Sequence, residues 1–171
     1  MFLYNEVQKR EANQERVRVG LIGAGKFGSM FLSQAPFTIG LEVSSIVDIS
    51  VENAKKNCRD VGWTEEQIES VLFFDNLKKM VSQTKIDVLV EATGDPLEGT
   101  KHALIAIEEG LDIVMVNVEA DVLSGPYLAK EAEKAGIVYS MAYGDQPALT
   151  TELVEWARAS GFHVVAAGKG T

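Results

Sequence analysis

Apolar residues recur along this chain in two alternating patterns. Short, nearly continuous apolar runs read as parallel strands covered on both faces. They are Val17 to Ile22, Leu41 to Val47, Val71 to Phe74, Ile86 to Ala92, Leu111 to Val116, Ile137 to Ser140 and Phe162 to Ala166. Between them apolar residues return at helical spacing: Phe27, Met30 and Phe31; Val51, Ala54, Cys58 and Val61; Leu97, Leu104 and Ile107; Leu128, Ala132 and Ala135; Leu149, Leu153 and Trp156. Ser50 suits a helix N-cap, Thr64 with Gln67 spells a capping box, and Asp95-Pro96 followed by Glu98 spells another. Asn76 to Gln83 reads as a short helix, Gly125-Pro126 and Pro147 read as helix starts, and Gly62, Gly110, Gly136 and Gly161 as helix stops.

Strands alternating with helices imply right-handed crossovers and a parallel sheet. The expected fold class is α/β, a doubly wound parallel sheet of six or seven strands with helices on both faces. Residues 1–16 precede the first strand and form a short amphipathic helix, with Leu3, Tyr4 and Val7 on one side, that packs on the domain or on a partner. Residues 17–171 form the domain itself.

The first strand meets Gly23, Gly25 and Gly28 in the spacing G-x-G-x-x-G, and helical periodicity follows at once. This is the strand, tight turn and helix start of a Rossmann-type dinucleotide site. Gly23 permits the turn, Gly25 leaves room for a pyrophosphate, and Gly28 lets helix and strand approach. The loop residues Ala24, Lys26 and Phe27 belong to the same cofactor-binding stretch. Lys26 is placed to touch a phosphate, and Phe27 to anchor the helix in the core. Asp48 ends the second strand about 20 residues further on, where a carboxylate accepts adenosine ribose hydroxyls. That acid favours NAD; Ser50 and Lys55 nearby keep NADP open.

Composition narrows the rest. The 171 residues suffice for one domain with a proper core. A net charge of −9 argues against a nucleic-acid partner. One cysteine, Cys58, permits no internal disulfide, and its spacing makes it a small buried residue rather than a reactive thiol. No run reaches membrane-spanning length, and the N-terminus lacks the apolar core of a signal peptide, so a cytoplasmic location is expected.

The carboxyl edge of the sheet collects the residues that follow each strand. Beyond the glycine turn and Asp48 these include Thr93, Gly94 and Asn117, which are cofactor or orientation candidates near the nicotinamide, with capping a turn as the other reading of Asn117. Glu119, Asp145 and Lys169 are the ionisable residues best placed to move a proton or clamp a developing alkoxide. Glu119 with Asp145 also suits a hard divalent cation, but nothing sets their spacing, and no metal site is assigned. His102 reads as a solvated residue on a surface helix; His163 begins the last strand. Lys55-Lys56 and Lys78-Lys79 read as solvated helix faces.

Three segments carry a family likeness: Val19 to Gly28, Glu91-Ala92-Thr93-Gly94-Asp95-Pro96, and Val114 to Asp121. Together they resemble the NAD(P)-binding domain of homoserine dehydrogenase-like oxidoreductases. The branch most similar is the one with a C-terminal SAF-type domain, which includes 1-deoxy-D-xylulose-5-phosphate reductoisomerase-like enzymes and sugar-acid oxidoreductases. Homoserine dehydrogenases place a lysine directly after the asparagine, whereas Asn117 is followed by Val118 and Glu119, which argues against homoserine as substrate. Gly144 and Pro147 keep part of the family's glycine-rich turn, while Asp145-Gln146 depart from it.

The resemblance implies hydride transfer between a nicotinamide cofactor and a small polar hydroxy or oxo compound, of sugar-acid or sugar-phosphate type. Members are longer, so the chain is expected to be the N-terminal part of a larger enzyme, binding cofactor alone without turnover and open to homo-oligomer formation. A non-catalytic dinucleotide-binding or redox-sensing module is the alternative.

Overall fold

The computed structural model describes residues 2–144 and 146–168. At its centre lies strand β1 (Val17–Ile22), flanked by β2 (Leu41–Val47) and β4 (Val88–Glu91). The other strands are β3 (Leu72–Phe74), β5 (Asp112–Met115) and β6 (Tyr139–Met141), and the described sheet is six-stranded in the order β3-β2-β1-β4-β5-β6. All pairings are parallel; β1 runs beside β2 from Val17↔Leu41 to Ile22↔Val47 and beside β4 from Val19↔Val88 to Ile22↔Glu91. Strand order therefore reverses at β1, and a crevice opens above its carboxyl end.

Alternation along the strands divides the core into two layers. Leu21 and Ile46 face α2 (Lys26–Gln34), α3 (Val51–Asp60) and α4 (Glu65–Glu69), packing with Leu32, Ala54, Cys58 and Ile68. Their neighbours Ile22 and Val47 face the opposite way. They join Leu77 and Met80 of α5 (Leu77–Gln83), Ala103 and Ala106 of α6 (Pro96–Glu108) and Leu128 of α7 (Val118–Ala135). Burial pushes the Cys58 thiol up to about 11, in keeping with an inert core residue.

The doubly wound expectation holds, and so do the caps at Ser50 and at Thr64 with Gln67. Four expectations about elements fail. Residues 162–168 carry no regular structure, and Phe162 and Val165 are exposed, so no seventh strand extends the sheet beyond β6 among the described residues. No helix starts at Gly125-Pro126; α7 begins seven residues earlier, capped by Asn117, and runs through Pro126. Proline removes one intrahelical bond, a loss that an 18-residue helix anchored at both ends absorbs.

The face of α2 carrying Phe27 and Met30 is solvent-facing, at 48% and 61% exposure; Gly28 and Leu32 form the buried stripe instead. A close helix–strand approach at Gly28 sets that rotation. Finally, Glu98 forms no capping box with Asp95: its carboxylate pairs with Lys101 at 2.7 Å.

Helix α1 (Leu3–Ala12) has no buried residue, and Leu3 and Tyr4 are exposed. It is tethered at its end, where Glu11 pairs with Arg16 and accepts the Gly40 N–H at 2.9 Å. In α8 (Gln146–Ala159) the aligned Leu153 and Trp156 are exposed. Among the described residues no helix is long and apolar enough to cross a membrane.

Candidate functional site

The turn after β1 is built almost entirely from backbone. Gly23 adopts φ +89°, a left-handed conformation that side chains disfavour, and its N–H bonds the Val47 carbonyl at 2.8 Å. Gly28 faces the Gly23 carbonyl so closely that a Cβ would strike it. Ala24 is buried and held at both its polar ends. Its N–H donates to Asp48 Oδ2 at 2.9 Å, and its carbonyl accepts from Asn57 Nδ2 at 2.7 Å and Ser29 Oγ at 3.1 Å. The other Asp48 oxygen accepts the Ser50 N–H at 2.9 Å. Asp48 thus ties the end of β2 to the glycine turn while keeping lone pairs free for ribose hydroxyls.

Helix α2 starts at this turn with Gly25 as its N-cap and no side-chain cap. The contrast with α3, α4, α5, α6 and α7 is informative: Ser50, Thr64, Asn76, Asp95 and Asn117 each cap their helix with a side-chain oxygen that accepts a first-turn N–H. The first-turn N–H groups of α2 have no such partner. In front of them lies open space, since a Cβ on Gly25 would meet no protein atom within 4 Å. Donors, a favourable helix dipole and room together make an anion cradle.

The cradle opens into a crevice of about 760 Å³. Gly23, Gly25 and Asp48 line one part of it, and Asn76, Thr93 and His102 another. A dinucleotide fits this donor set, with the pyrophosphate at the uncapped helix and a ribose at Asp48. Among the described residues there is no group of three or more metal-ligating side chains.

Beyond β4 the construction changes from backbone to interlocked side chains. Glu91 ends the strand and is wholly buried. Its Oε1 accepts from the Thr93 hydroxyl at 2.5 Å and lies 3.1 Å from His102 Nδ1, while Oε2 has no partner. Thr93 Oγ1 in turn accepts from Asn117 Nδ2 and the Asp95 N–H, each at 3.4 Å. Asn117, 2% exposed, caps α7 through Oδ1 to the Ala120 N–H at 3.1 Å and holds the Asp95 carbonyl through Nδ2 at 2.8 Å. Gly99 makes this possible, because a Cβ there would collide with the Asn117 amide. One network therefore joins β4, the following loop, α6 and α7.

The structure brings Gly23, Ala24, Gly25 and Asp48 together as the spacing predicts, with Lys26 exposed at the start of α2. Phe27 is not the core anchor expected of it but stands exposed beside the turn. Thr93 lines the crevice after β4 with Gly94 next in the chain, and Asn117 acts as a cap and brace between their loop and α7. Glu119 is exposed in the first turn of α7. Asp145 and Lys169 lie outside the described residues.

Two site residues went unnoticed in the sequence: Glu91, read as part of a strand, and His102, read as solvated. The His102 side chain is only 15% exposed and reaches the Glu91 carboxylate. A charged residue closing an otherwise apolar strand, with a histidine less than two turns into the next helix, was the available signal. Lys55 likewise is not a freely solvated side chain, for its ammonium sits 5.6 Å from the Phe73 ring centroid.

Comparison with known proteins places the chain. A family model described as "Homoserine dehydrogenase, NAD binding domain" matches residues 19–142, and one described as "Oxidoreductase DRL, catalytic domain" matches residues 144–171. No curated protein matches. Solved structures share the fold. The WlbA dehydrogenase of Bordetella pertussis, in complex with NADH and UDP-GlcNAcA, is 23% identical over 85% of this chain and 42% of its own, with a TM-score of 0.62. The Chromobacterium violaceum WlbA dehydrogenase gives 18% identity, 85% and 40% coverage and 0.61. Myo-inositol 2-dehydrogenase from Lactobacillus plantarum gives 14%, 85%, 42% and 0.57. The chain thus spans about 40% of the length of these fold relatives.

Proposed function

This chain belongs to the homoserine dehydrogenase NAD-binding domain family, and from that premise we propose that its crevice holds the cofactor of an oxidoreductase acting on a small polar hydroxy or oxo compound. The uncapped start of α2, facing open space at Gly25, is the observation that carries this reading. The N–H groups of Lys26, Phe27 and Gly28 bind the pyrophosphate, and Asp48 takes the adenosine ribose. Its negative charge favours NAD over NADP. Thr93 and Gly94 border the nicotinamide, and Asn117 fixes their loop. Bound there, the dinucleotide supplies the hydride-exchanging ring; the chain supplies orientation and exclusion of water from that ring.

Glu119, Asp145 and Lys169 are the candidates for moving a proton at the substrate oxygen. A sugar acid or sugar phosphate is the substrate class that best suits the whole protein. The second family match, to an oxidoreductase catalytic domain over residues 144–171, supports oxidoreductase chemistry for the whole protein. Relatives of the same fold that hold NADH together with UDP-GlcNAcA lend support to a polyhydroxylated substrate. The Asn117-Val118-Glu119 segment, lacking the lysine, speaks against homoserine.

Calorimetric titration with NAD and NADP tests the cofactor assignment. Saturable binding of NAD by the wild type, lost in Gly25→Val with the circular dichroism spectrum retained, is the expected result. Equal affinity in the two proteins would remove the glycine turn from the site. Turnover is tested separately, by nicotinamide absorbance with sugar acids and sugar phosphates; this chain alone is expected to bind without turnover.

A further inference from the structure

The mixed buried network at β4 includes one group that faces the crevice and is used by nothing else. An ionised carboxylate only accepts hydrogen bonds. Glu91 Oε1 accepts a hydrogen bond from the Thr93 hydroxyl and sits 3.1 Å from His102 Nδ1, so with this oxygen as acceptor the imidazole donates from Nδ1. In the neutral ring Nε2 is then a lone-pair acceptor. No described residue hydrogen-bonds it, and His102 lines the crevice.

The position of His102 along the crevice follows from the other anchors. With the pyrophosphate at Gly25 and a ribose at Asp48, the base is left the part of the same crevice lined by Ile49, Leu77, His102 and Ile105. Three apolar side chains line the crevice there among polar ones: Ile49, almost fully exposed, stands next to Asp48, and Leu77 of α5 and Ile105 of α6 contribute the other two. His102 and Ile105 are three residues apart on α6 and share one helix face. A planar heterocycle held against these apolar side chains would lie in the crevice that His102 also lines.

We propose that Glu91 and His102 act as a base-reading couple: the buried carboxylate sets the tautomer, and Nε2 accepts the exocyclic amino group of adenine. The inference rests on the crevice being the dinucleotide site. It assigns selectivity to a base that offers a donor at this edge. Hypoxanthine, which differs from adenine there by presenting an oxo acceptor, places two lone pairs against each other and leaves both unsatisfied. His102 is in this account a specificity residue, and Glu91 is its positioning residue.

The experiment compares NAD with nicotinamide hypoxanthine dinucleotide by calorimetry, using the wild type, His102→Phe and Gly25→Val. The wild type should bind NAD about tenfold or more tightly, the size of one lost hydrogen bond with an unpaired acceptor. In His102→Phe the ratio should fall to within about twofold, since an apolar ring cannot read the edge. Nitrogen-detected imidazole spectra give a second readout that needs no variant. Of the two histidines in the chain, the His102 Nε2 resonance should shift with NAD and not with the hypoxanthine analogue.

Equal binding of the two dinucleotides by the wild type, with Gly25→Val still abolishing it, overturns the base-reading role and leaves the cofactor site standing. A full NAD preference retained in His102→Phe overturns it as well, as does an imidazole spectrum indifferent to both ligands. Absence of dinucleotide binding by the wild type overturns the cofactor reading and this inference together.

Discussion

On the β1–β2 side of the crevice the groups that face a ligand are backbone N–H donors and the Asp48 carboxylate, and the other polar side chains enter as clips on Ala24. On the β4–β5 side the roles are reversed. Glu91, Thr93, His102 and Asn117 hold one another, and the backbone follows their lead. The first side is shaped by atoms that are absent, at Gly23, Gly25 and Gly28. The second is shaped by polar atoms that are buried. A binding surface made of missing side chains is sensitive to additions and carries little of the fold's stability. A surface made of buried hydrogen bonds is sensitive to deletions, and a lost partner there leaves another polar atom without one.

The sharpest way to break this comparison is to add atoms on the first side. Gly25 has φ −69° and ψ −155°, an extended conformation that valine adopts without strain, and no protein atom stands within 4 Å of its Cβ position. Gly25→Val should therefore leave the urea midpoint unchanged. Its side chain fills the space where two or three charge-assisted hydrogen bonds would form, so NAD affinity should fall on the order of a thousandfold. Calorimetry and urea titration on the same sample decide it; a stability loss matching the binding loss would mean that the turn is structural after all.

Deletion on the second side should do the opposite. Asn117→Ala removes the α7 cap and the brace to Asp95 and strips Thr93 of a donor. A lost cap and a lost buried hydrogen bond together predict about 2–4 kcal/mol of destabilisation. Binding of NAD at low denaturant should weaken far less than in Gly25→Val. Urea denaturation checks the first statement and calorimetry the second. A variant with wild-type stability would show that the network is ornamental.

A third test acts on stability through pH. Cys58 lies on the buried face of α3, next in sequence to Asn57, which holds the Ala24 carbonyl. Burial raises its thiol from 9.0 to about 11. A folded-state value above the unfolded one means that the contribution is fully present below pH 9 and is lost as pH rises through 11. The fall should approach about 2 kcal/mol. Urea midpoints of the wild type and Cys58→Ala, followed from pH 8 to pH 10.5, isolate it, because Tyr139, raised by burial and the Asp121 carboxylate, titrates in both. Parallel curves for the two proteins would refute the assignment.

The same contrast explains what was legible in the chain. Glycine spacing and Asp48 announce the first side because the chemistry there is local to one strand, turn and helix. Strand order and the two helix layers follow from the alternation alone. Glu91 and His102 were missed because their partnership crosses from a strand to the middle of a helix, and no spacing rule encodes which polar residue a fold will bury. The exposed face of α2 was misassigned for a related reason. Phe27 and Met30 have the apolar character of a core stripe, but the approach of Gly28 to Gly23 decides the rotation. Gly125-Pro126 imitates a helix start, and only the Asn117 cap, itself part of the buried network, shows that α7 has already begun. The last apolar run had strand composition, yet the segment after α8 joins no strand among the described residues.

The finest test concerns Asp48, where the two sides meet. One of its oxygens holds the Ala24 N–H and the other the Ser50 N–H, so the carboxylate both shapes the turn and presents negative charge to a ribose. Removing charge and shape together confuses the two roles, which makes Asp48→Asn the informative change: an amide oxygen can keep the bond to Ala24 while the charge is gone. A 2′-phosphate would then lose its repulsion, and a ribose would lose part of its acceptor strength. The ratio of NAD to NADP affinity should fall about tenfold, roughly 1.4 kcal/mol, with a stability loss of about 1–3 kcal/mol because the Ser50 N–H loses its acceptor. Lys55 cannot assist an incoming phosphate freely, being held over Phe73 and near Glu52, so the gain should appear mostly as relief of repulsion and weaken as salt screens the charge. Competition binding of the two cofactors at low and at moderate ionic strength measures both. A wild type that already prefers NADP, with the preference untouched in Asp48→Asn, would show that this carboxylate serves the turn alone.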